Sequence, residues 1–472
     1  MVTAVTLLTT GIKTLPSQVP GTLSKVLDAL HSRSHNCAPK PRQARLCGID
    51  PTLPGAAVRK IGWAVMFLSV ISTTLFAGAF HRPGASQLAE LTPTDRVNQD
   101  WFGISIAVSG NTVVVGDYDP NIEQFGSVDV YVKPDNGWGN TTQTATLTSS
   151  DNGQGFGTSV AISGNIIAVG AADTSNFGAQ AAGPGAVYVF VKPKGGWHDM
   201  TETAKLTASD GMPGDAFGNS VSISGTTIAI GAFFVNNFSG RVYVFTLAGR
   251  SWVQAAELSA SDSGGILDYL GCSVAIDGNT VVAGSYGHNN FQGSTYVYVE
   301  PPGGWADMNE TAELSADNGQ GGDLFGFAVG INSDTVVSGS VGAVQGFGSA
   351  YIFVKPPAGW ATTSHFNAEV GAPDAVQGDS FGQSVGISDN GRAIVVGAPG
   401  QNVGSNLEQG AAYIYVAPKS GWKSTRRSYA ELISSDGAAF DTFGVSAGIS
   451  GATAVVGAPK SNTPGEAYVF GK

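Results

Sequence analysis

One apolar dipeptide recurs along this chain at nearly constant spacing. A Phe-Gly or Leu-Gly step occurs seven times, at intervals of about 53 to 62 residues. The steps are Phe102-Gly103, Phe156-Gly157, Phe217-Gly218, Leu270-Gly271, Phe325-Gly326, Phe381-Gly382 and Phe443-Gly444. Each is followed by an alternating apolar strand, a tight turn, a second apolar strand and an aromatic third strand. This pattern predicts an all-β fold, a seven-bladed β-propeller with one four-stranded blade per repeat.

The third repeat shows how the pattern builds a blade. Gly218 to Ser224 alternates polar and apolar side chains, Gly225-Thr226 turns the chain, and Ile228 to Ile230 is a second, apolar strand. Arg241 to Phe245 supplies a third strand and Ala255 to Leu258 a more polar fourth, as expected where strands approach the solvent. We expect the Phe of each step to wedge between neighbouring blades. The Gly is expected to allow a close backbone approach or a positive φ.

The segment Ala89-Glu90-Leu91-Thr92 copies the outer strands that begin at Ala256, Ala312 and Ala430. The chain ends on a third strand, Tyr468 to Phe470, with no fourth strand after it. We therefore predict that the N-terminal strand completes the last blade and closes the ring, since closure removes two exposed sheet edges. The propeller is expected to span residues 88–472.

An apolar run precedes the repeats. Residues 61–80 carry no charge, follow Arg59-Lys60 and end in Ala77-Gly78-Ala79. Residues 58–80 are therefore interpreted as a secretory signal peptide cleaved near Ala79, or as a single transmembrane anchor, because about 20 apolar residues can cross a bilayer. Both interpretations predict a secreted or cell-surface propeller outside the cytoplasm. Residues 1–57 show no repeat and are interpreted as a doubtful or disordered extension.

The charge balance argues against a nucleic-acid partner. The chain has 24 Lys and Arg against 36 Asp and Glu, a net charge of −12. Residues 1–79 carry a net +6, so the remaining residues carry −18, which repels phosphate backbones. Cys272 is the one cysteine within the repeats, so no disulfide framework can form there.

The sequence gives little support for catalysis. Gly382-Gln383-Ser384-Val385-Gly386 matches the hydrolase nucleophile pattern. Serines occupy the same repeat position at Ser105, Ser159, Ser220 and Ser273, so repetition explains the match. The histidines of the repeats show no zinc-like spacing. We expect no enzymatic activity and no metal site.

The segments Phe381-Gly382-Gln383-Ser384-Val385 and Val396-Gly397-Ala398-Pro399 resemble the FG-GAP repeat family, found in the integrin α-subunit propeller and in many secreted bacterial proteins. The resemblance implies a seven-bladed propeller outside the cytoplasm, often used for adhesion or partner binding. Integrin-like repeats often carry a calcium loop between their first two strands. Here that link is a turn such as Ser109-Gly110-Asn111, too short to supply six to eight oxygens. We therefore expect no cofactor, and these turns do not support calcium binding.

Ligand recognition is expected on the face that holds the loops between blades and the loops between second and third strands. Loops that vary on a repeated framework are typical recognition sites. In six of the seven repeats, an Asp stands two positions before the Phe or Leu of the step. This pattern predicts either that these side chains cap their own turns or that they form an acidic rim that faces a ligand. Asp117 and Asp119 resemble part of a calcium loop but lack its Gly and distal Glu. The candidate ligand-binding residues are Phe233, Phe234, Phe238, Tyr286, His288, Phe291, Asp117 and Asp119.

Two functions remain open from the sequence. The first is an exported, monomeric, non-enzymatic binding or adhesion propeller that recognises a protein or a glycan through its acidic, loop-rich face. The alternative is a secreted hydrolase or lyase acting on a polysaccharide or phosphoester with carboxylates of that face, because the separation of paired carboxylates cannot be read from a sequence. Membrane contact is expected only through the N-terminal segment.

Overall fold

The structure is a computed structural model that describes residues 84–94, 101–118, 126–172, 183–263, 267–459 and 465–471. All of them belong to the unit His81–Lys472. The predicted extension 1–57 and the signal or anchor segment 58–80 lie outside the described residues. Within the described ranges, no helix is both long enough and apolar enough to span a membrane.

Seven antiparallel sheets follow one another along the chain, and each has four principal strands. We number the blades 1 to 7 by their Phe-Gly or Leu-Gly steps, and strands one to four from that step outward. Blade 1 comprises Phe102–Ser109, Thr112–Asp117, Ser127–Val132 and Ala145–Thr148; blade 2, Phe156–Ser163, Ile166–Ala171, Ala186–Val191 and Ala204–Leu206; blade 3, Ser220–Ser224, Thr227–Ala232, Arg241–Ala248 and Ser251–Ser259. Blade 4 comprises Val274–Asp277, Thr280–Ser285, Ser294–Val299 and Ala312–Leu314; blade 5, Phe325–Asn332, Thr335–Ser340, Ser349–Val354 and Ala368–Val370; blade 6, Val385–Ile387, Ala393–Ala398, Ala411–Val416 and Ala430–Leu432. Blade 7 comprises Ser446–Ser450, Thr453–Ala458, Glu466–Gly471 and the N-terminal strand Ser86–Thr92.

The first strands form the inner ring. Each first strand contacts the first strand of the next blade, and the first strand of blade 7 contacts that of blade 1. Second strands are almost wholly buried, as in Thr280–Ser285, whereas fourth strands alternate buried and partly exposed residues, as in Ala312–Leu314. The predicted all-β, seven-bladed fold with four-stranded blades is confirmed.

Blade 7 takes its outer strand from the beginning of the chain. Ser86–Thr92 pairs antiparallel with Glu466–Gly471, with Glu90 opposite Tyr468 and Leu91 opposite Ala467. Leu91 is fully buried in a cluster that also contains Phe102 of blade 1. This pairing joins the two ends of the repeat region within one sheet.

The apolar residue of each step packs between two blades. Phe156 is fully buried against Val128 and Leu147 of blade 1, and its ring meets Tyr188 of its own blade at 5.4 Å in a T-shaped arrangement. Leu270 takes the same place between blades 3 and 4. The predicted wedge role is confirmed.

Two glycines of neighbouring blades place their backbones in contact. Gly326 has φ +85°, and a Cβ there would lie 2.3 Å from the carbonyl oxygen of Ser294 in blade 4. A Cβ on Gly284, in the second strand of blade 4, would meet the carbonyl oxygen of Gly326. The prediction of close approach and positive φ is confirmed, because no side chain fits between these backbones.

The repeated serine acts as a link between blades. Ser384 Oγ donates to the carbonyl oxygen of Gly444 at 2.8 Å, and Ser446 Oγ donates to Gly103 of blade 1 at 2.6 Å. Ser105, Ser159 and Ser220 make the same bond to the next blade. The hydroxyl within the hydrolase-like pattern therefore serves the contact between blades 6 and 7.

Short parallel straps bind neighbouring blades at the outer edge. Met308–Asn309, which leads to the fourth strand of blade 4, pairs with Leu258 and Ser259 of blade 3. Asp307 Oδ1 accepts a hydrogen bond from the Glu257 amide at 2.9 Å. Equivalent straps are Thr141–Thr142 and Met200–Thr201.

Candidate functional site

Two sets of loops share one face of the propeller, which we call the loop face. They are the 4–1 loops, which run from the fourth strand of one blade to the first strand of the next, and the 2–3 loops within a blade. The Phe234 amide donates to the Asp215 carbonyl at 3.3 Å, and the Gly287 amide donates to the Asp268 carbonyl at 3.1 Å. Matching bonds join Gly342 to Asp323 and Gly400 to Asp379. In blades 3 to 6, the 4–1 loop and the 2–3 loop are therefore joined by a backbone hydrogen bond.

The Asp residues before the steps are mainly turn caps. Asp215 Oδ2 accepts from the Met212 amide at 2.7 Å, and burial raises the pKa of this carboxyl although the backbone bond opposes the shift. The same cap occurs at Asp323, Asp379 and Asp441. The turn-capping interpretation is confirmed at these four residues. Asp268 is different, because its carboxylate faces His288, and Asp100 lies outside the described residues.

Six aromatic rings form a continuous row on the loop face across blades 3, 4 and 5. We call Phe233, Phe234, Phe238, Tyr269, Tyr286 and Phe327 the aromatic cluster. Ring centroids lie 5.0 Å apart for Phe234 and Phe238, and 5.9 Å apart for Phe238 and Tyr269. Tyr269 stacks on Tyr286 at 4.8 Å, and Tyr286 lies 5.6 Å from Phe327. All six residues are half-buried, so each ring packs on a neighbour and still meets solvent.

A tight left-handed turn brings the Phe residues of blade 3 together. Within Val235–Phe238, Asn236 and Asn237 have φ values of 51° and 56°. Asn tolerates this region better than most residues, so the turn brings Phe238 back against Phe234. The turn recurs in His288–Phe291 and Ala343–Gly346 of blades 4 and 5.

The structure brings together only part of the predicted site. Phe233, Phe234, Phe238 and Tyr286 belong to the aromatic cluster. Asp117 is instead buried at the end of the second strand of blade 1, opposite Phe102, and Asp119 lies outside the described residues.

His288 and Phe291 lie in the left-handed turn of blade 4. His288 meets Tyr296 edge-on at 6.1 Å and lies between two carboxylates. Phe291 is partly exposed, and the ring contacts of the described residues do not join it to the aromatic cluster.

Two members of the aromatic cluster were not predicted from the sequence. Tyr269 directly precedes the Leu270-Gly271 step, and Phe327 directly follows the Phe325-Gly326 step. Other repeats carry Ala216, Thr158 or Asn219 at these places, but Trp101 also directly precedes a step. An aromatic residue beside a step was therefore a signal, and a weak one.

Further apolar side chains are exposed on the loop face. Leu407 of a 2–3 loop is 55% exposed, and Phe440 of a 4–1 loop is 52% exposed. The two loops meet, since the Phe440 amide donates to the Leu407 carbonyl at 2.8 Å. Met212, Val344 and Val376 are exposed in the same two sets of loops.

A second repeated feature joins a tyrosine of the third strand to an aspartate of the preceding 4–1 loop. Tyr243 donates to Asp210 at 2.9 Å, and Tyr296 donates to Asp262 at 2.8 Å. Further pairs among the described residues are Tyr188 with Asp151, Tyr413 with Asp374 and Tyr468 with Asp436. We call these five the Tyr–Asp sites. Each joins two successive blades, and none was recognised from the sequence.

The Tyr–Asp sites differ in the charged group beside them. In blade 2, Lys205 Nζ lies 2.5 Å from Asp151 Oδ2. In blade 3, Arg241 lies 2.6 Å from Glu257 and 3.8 Å from Asp210. The acidic site of blade 7 brings Glu466 and Glu90 close to Asp436. The Tyr–Asp sites thus share one geometry, but the net charge of the groups around them differs from blade to blade.

We expect these tyrosines to make stability fall at alkaline pH. Burial and the Asp151 hydrogen bond raise the pKa of Tyr188 to about 12, and burial raises the pKa of Tyr243, Tyr296 and Tyr468 well above the usual value. Since an unfolded tyrosine has a pKa of about 10, the stabilisation is complete below about pH 10 and is lost as the pH rises toward the folded pKa.

Thermal unfolding followed across this range, with ultraviolet absorbance to count tyrosinate, measures the effect. The Tyr188→Phe variant is the control, because it cannot ionise at this position and should lose less stability between about pH 10 and pH 12. Full tyrosine ionisation in the folded protein near pH 10 would contradict the prediction.

Comparison with known proteins identifies the repeats. The FG-GAP repeat family matches residues 85–132, 141–190, 200–245, 252–298, 308–353, 366–415 and 427–470. No curated protein matches the chain. Members of this family are generally extracellular or surface-associated, and their propellers are typical of binding and adhesion domains. The matched segments cover more than half of the sequence, one to a blade, and the chain therefore belongs to the FG-GAP repeat family.

Proposed function

We propose that this propeller is a non-enzymatic binding module that acts outside the cytoplasm and takes a protein partner through the aromatic cluster. The observation that carries the proposal is the row of six half-buried rings on the loop face. Aromatic side chains are enriched at the centres of protein interfaces, where they bury large areas at small cost in conformational entropy.

The chemistry of the surrounding face favours a partner with apolar and basic side chains. Four of the six rings are Phe, which has no hydroxyl to bond a sugar. Asp210 and Asp262 are partly exposed in neighbouring 4–1 loops, and the chain after residue 79 carries a net charge of −18. Acidic groups around an apolar centre complement Lys and Arg and accelerate encounter with them.

The hydrolase or lyase alternative has no comparable support. Five of the carboxylates that it would recruit from the loop face already accept hydrogen bonds with a structural role. Asp215, Asp323 and Asp379 cap their own turns, and Asp210 and Asp374 accept from tyrosines.

Replacing both Phe234 and Tyr286 by Ala is expected to weaken partner binding by at least about 30-fold, because truncating one buried aromatic anchor often costs about 2 kcal/mol or more. Partner candidates would be captured from a cell-surface extract and then purified. Their affinities for the parent and the variant would be measured by calorimetry. The matched control is Leu407→Ala with Phe440→Ala, which removes two exposed apolar side chains away from the aromatic cluster.

The proposal fails if the cluster variant, folded to the same melting temperature as the parent, binds the partner as tightly. A glycan array run in parallel tests the other ligand class. Binding to a glycan but to no protein would reassign the aromatic cluster to sugar recognition.

A further inference from the structure

The Tyr–Asp site of blade 4 gathers a histidine and three carboxylates. His288 Nε2 lies 3.5 Å from Asp262 Oδ2, and His288 Nδ1 lies 3.6 Å from Asp268 Oδ1. Glu313, opposite Tyr296 on the fourth strand, brings a carboxylate oxygen within 4.8 Å of the Asp262 and His288 ligand atoms. Three potential ligands thus converge from a 4–1 loop, a 2–3 loop and a strand.

A buried carboxylate lies behind the histidine. Asp268 is only 6% exposed, and its Oδ2 has no hydrogen-bond partner among the described residues. Its other oxygen faces His288 Nδ1, which likewise lacks a hydrogen bond within the described part of the chain. Metal-binding histidines usually direct their second ring nitrogen at such a carboxylate, which sets the orientation and tautomer of the ring.

The two preceding blades hold a cation beside the corresponding aspartate. Lys205 stands beside Asp151 in blade 2, and Arg241 stands between Asp210 and Glu257 in blade 3. Blade 4 has Ser294 where blade 3 has Arg241, at the same register opposite the second strand. Ser294 Oγ donates to Glu313 Oε1 at 2.6 Å and brings no positive charge. Position by position, blade 4 keeps the two carboxylates of blade 3 and replaces its fixed cation by a neutral side chain.

We propose that blade 4 binds a divalent transition-metal ion through His288 Nε2, Asp262 and Glu313, with Asp268 positioning the histidine. Two ligands of a tetrahedral zinc ion at about 2.1 Å lie about 3.4 Å apart, close to the 3.5 Å between His288 Nε2 and Asp262 Oδ2. One imidazole with two carboxylates suits Zn²⁺ or Mn²⁺ better than Ca²⁺, which prefers oxygen ligands alone. Water completes the coordination, since Asp262 is open to solvent.

The test measures Zn²⁺ stoichiometry by equilibrium dialysis on the full chain. Cys37 and Cys47 are replaced by Ser in every sample, because thiols near His31 and His35 could bind zinc themselves. Glu313→Gln and His288→Ala are each expected to lose one bound Zn²⁺ relative to the parent. His365→Ala is the matched control, because His365 pairs with Asp317 at 2.7 Å on an exposed edge. This control should retain the full stoichiometry.

Two further variants separate metal binding from a structural effect. Ser294→Arg copies the arrangement of blade 3 and should displace Zn²⁺ from a folded propeller, since the guanidinium would occupy the place between the carboxylates. Asp268→Asn should keep the stoichiometry and weaken the affinity by about 10- to 100-fold. Equal Zn²⁺ stoichiometry in the parent, His288→Ala and Ser294→Arg would overturn the proposal, as would selective binding of Ca²⁺ over Zn²⁺.

Discussion

A chain that lacks residues 86–92 is expected to aggregate and to lose cooperative unfolding. This strand is the partner of Glu466–Gly471, so its removal leaves an unpaired edge strand at the end of blade 7. It also uncovers the core between blades 7 and 1, where Leu91 and Ala89 pack with Phe102 and Val469. Size-exclusion chromatography and thermal unfolding of the deletion variant measure both effects.

A single substitution measures how much the same contact contributes to stability. Leu91→Ala is expected to lower the free energy of unfolding by about 2 to 5 kcal/mol, because it leaves a cavity at a fully buried position. Ser86→Ala is the control, since Ser86 is exposed at the start of the same strand. A monomeric deletion variant with the melting temperature of the parent would show that the ring does not depend on this strand.

Gly284→Ala is expected to lower the free energy of unfolding by about 3 kcal/mol or more, and to impair folding of the chain. The added Cβ would overlap the carbonyl oxygen of Gly326 in the next blade, and a backbone atom cannot rotate away as a side chain can. Denaturant unfolding of the purified variant, or its yield of folded protein, measures the loss.

Gly303→Ala is the matched control, because a Cβ there meets nothing within 4 Å and the backbone has no positive φ. Its stability should stay within about 0.5 kcal/mol of the parent. Equal stability of both variants would mean that neighbouring blades can separate without cost at the second-strand glycine.

The repeat made the fold predictable from local patterns. Alternation placed the first strands, apolar runs placed the second strands, and the spacing of the Phe-Gly steps gave the number of blades. The roles of Phe156 and Gly326 followed because a wedge and a close backbone approach each require one residue type. These features depend on a few neighbouring positions, which a sequence displays directly.

The candidate site was less predictable because its contacts cross blades. Tyr269 and Phe327 join the aromatic cluster from positions beside the repeated steps, where an aromatic side chain is only a weak signal. His288 was grouped with the aromatic residues although it faces Asp262 and Asp268. The tyrosines of the Tyr–Asp sites were predicted only as parts of aromatic third strands, because strand alternation says nothing about their hydroxyls. Each of these contacts depends on how loops and strands from different parts of the chain lie in space, which the sequence does not show.

Each Tyr–Asp site joins the loop before a blade to the third strand of that blade, yet both residues lie within one matched repeat, as Asp210 and Tyr243 do within residues 200–245. A repeat that is duplicated or exchanged as such a unit would therefore carry its own tyrosine and aspartate together. The hydrogen bond would survive the exchange, and the charged group beside it could change afterwards by single substitutions. The ring can consequently diversify by both routes without breaking these pairs.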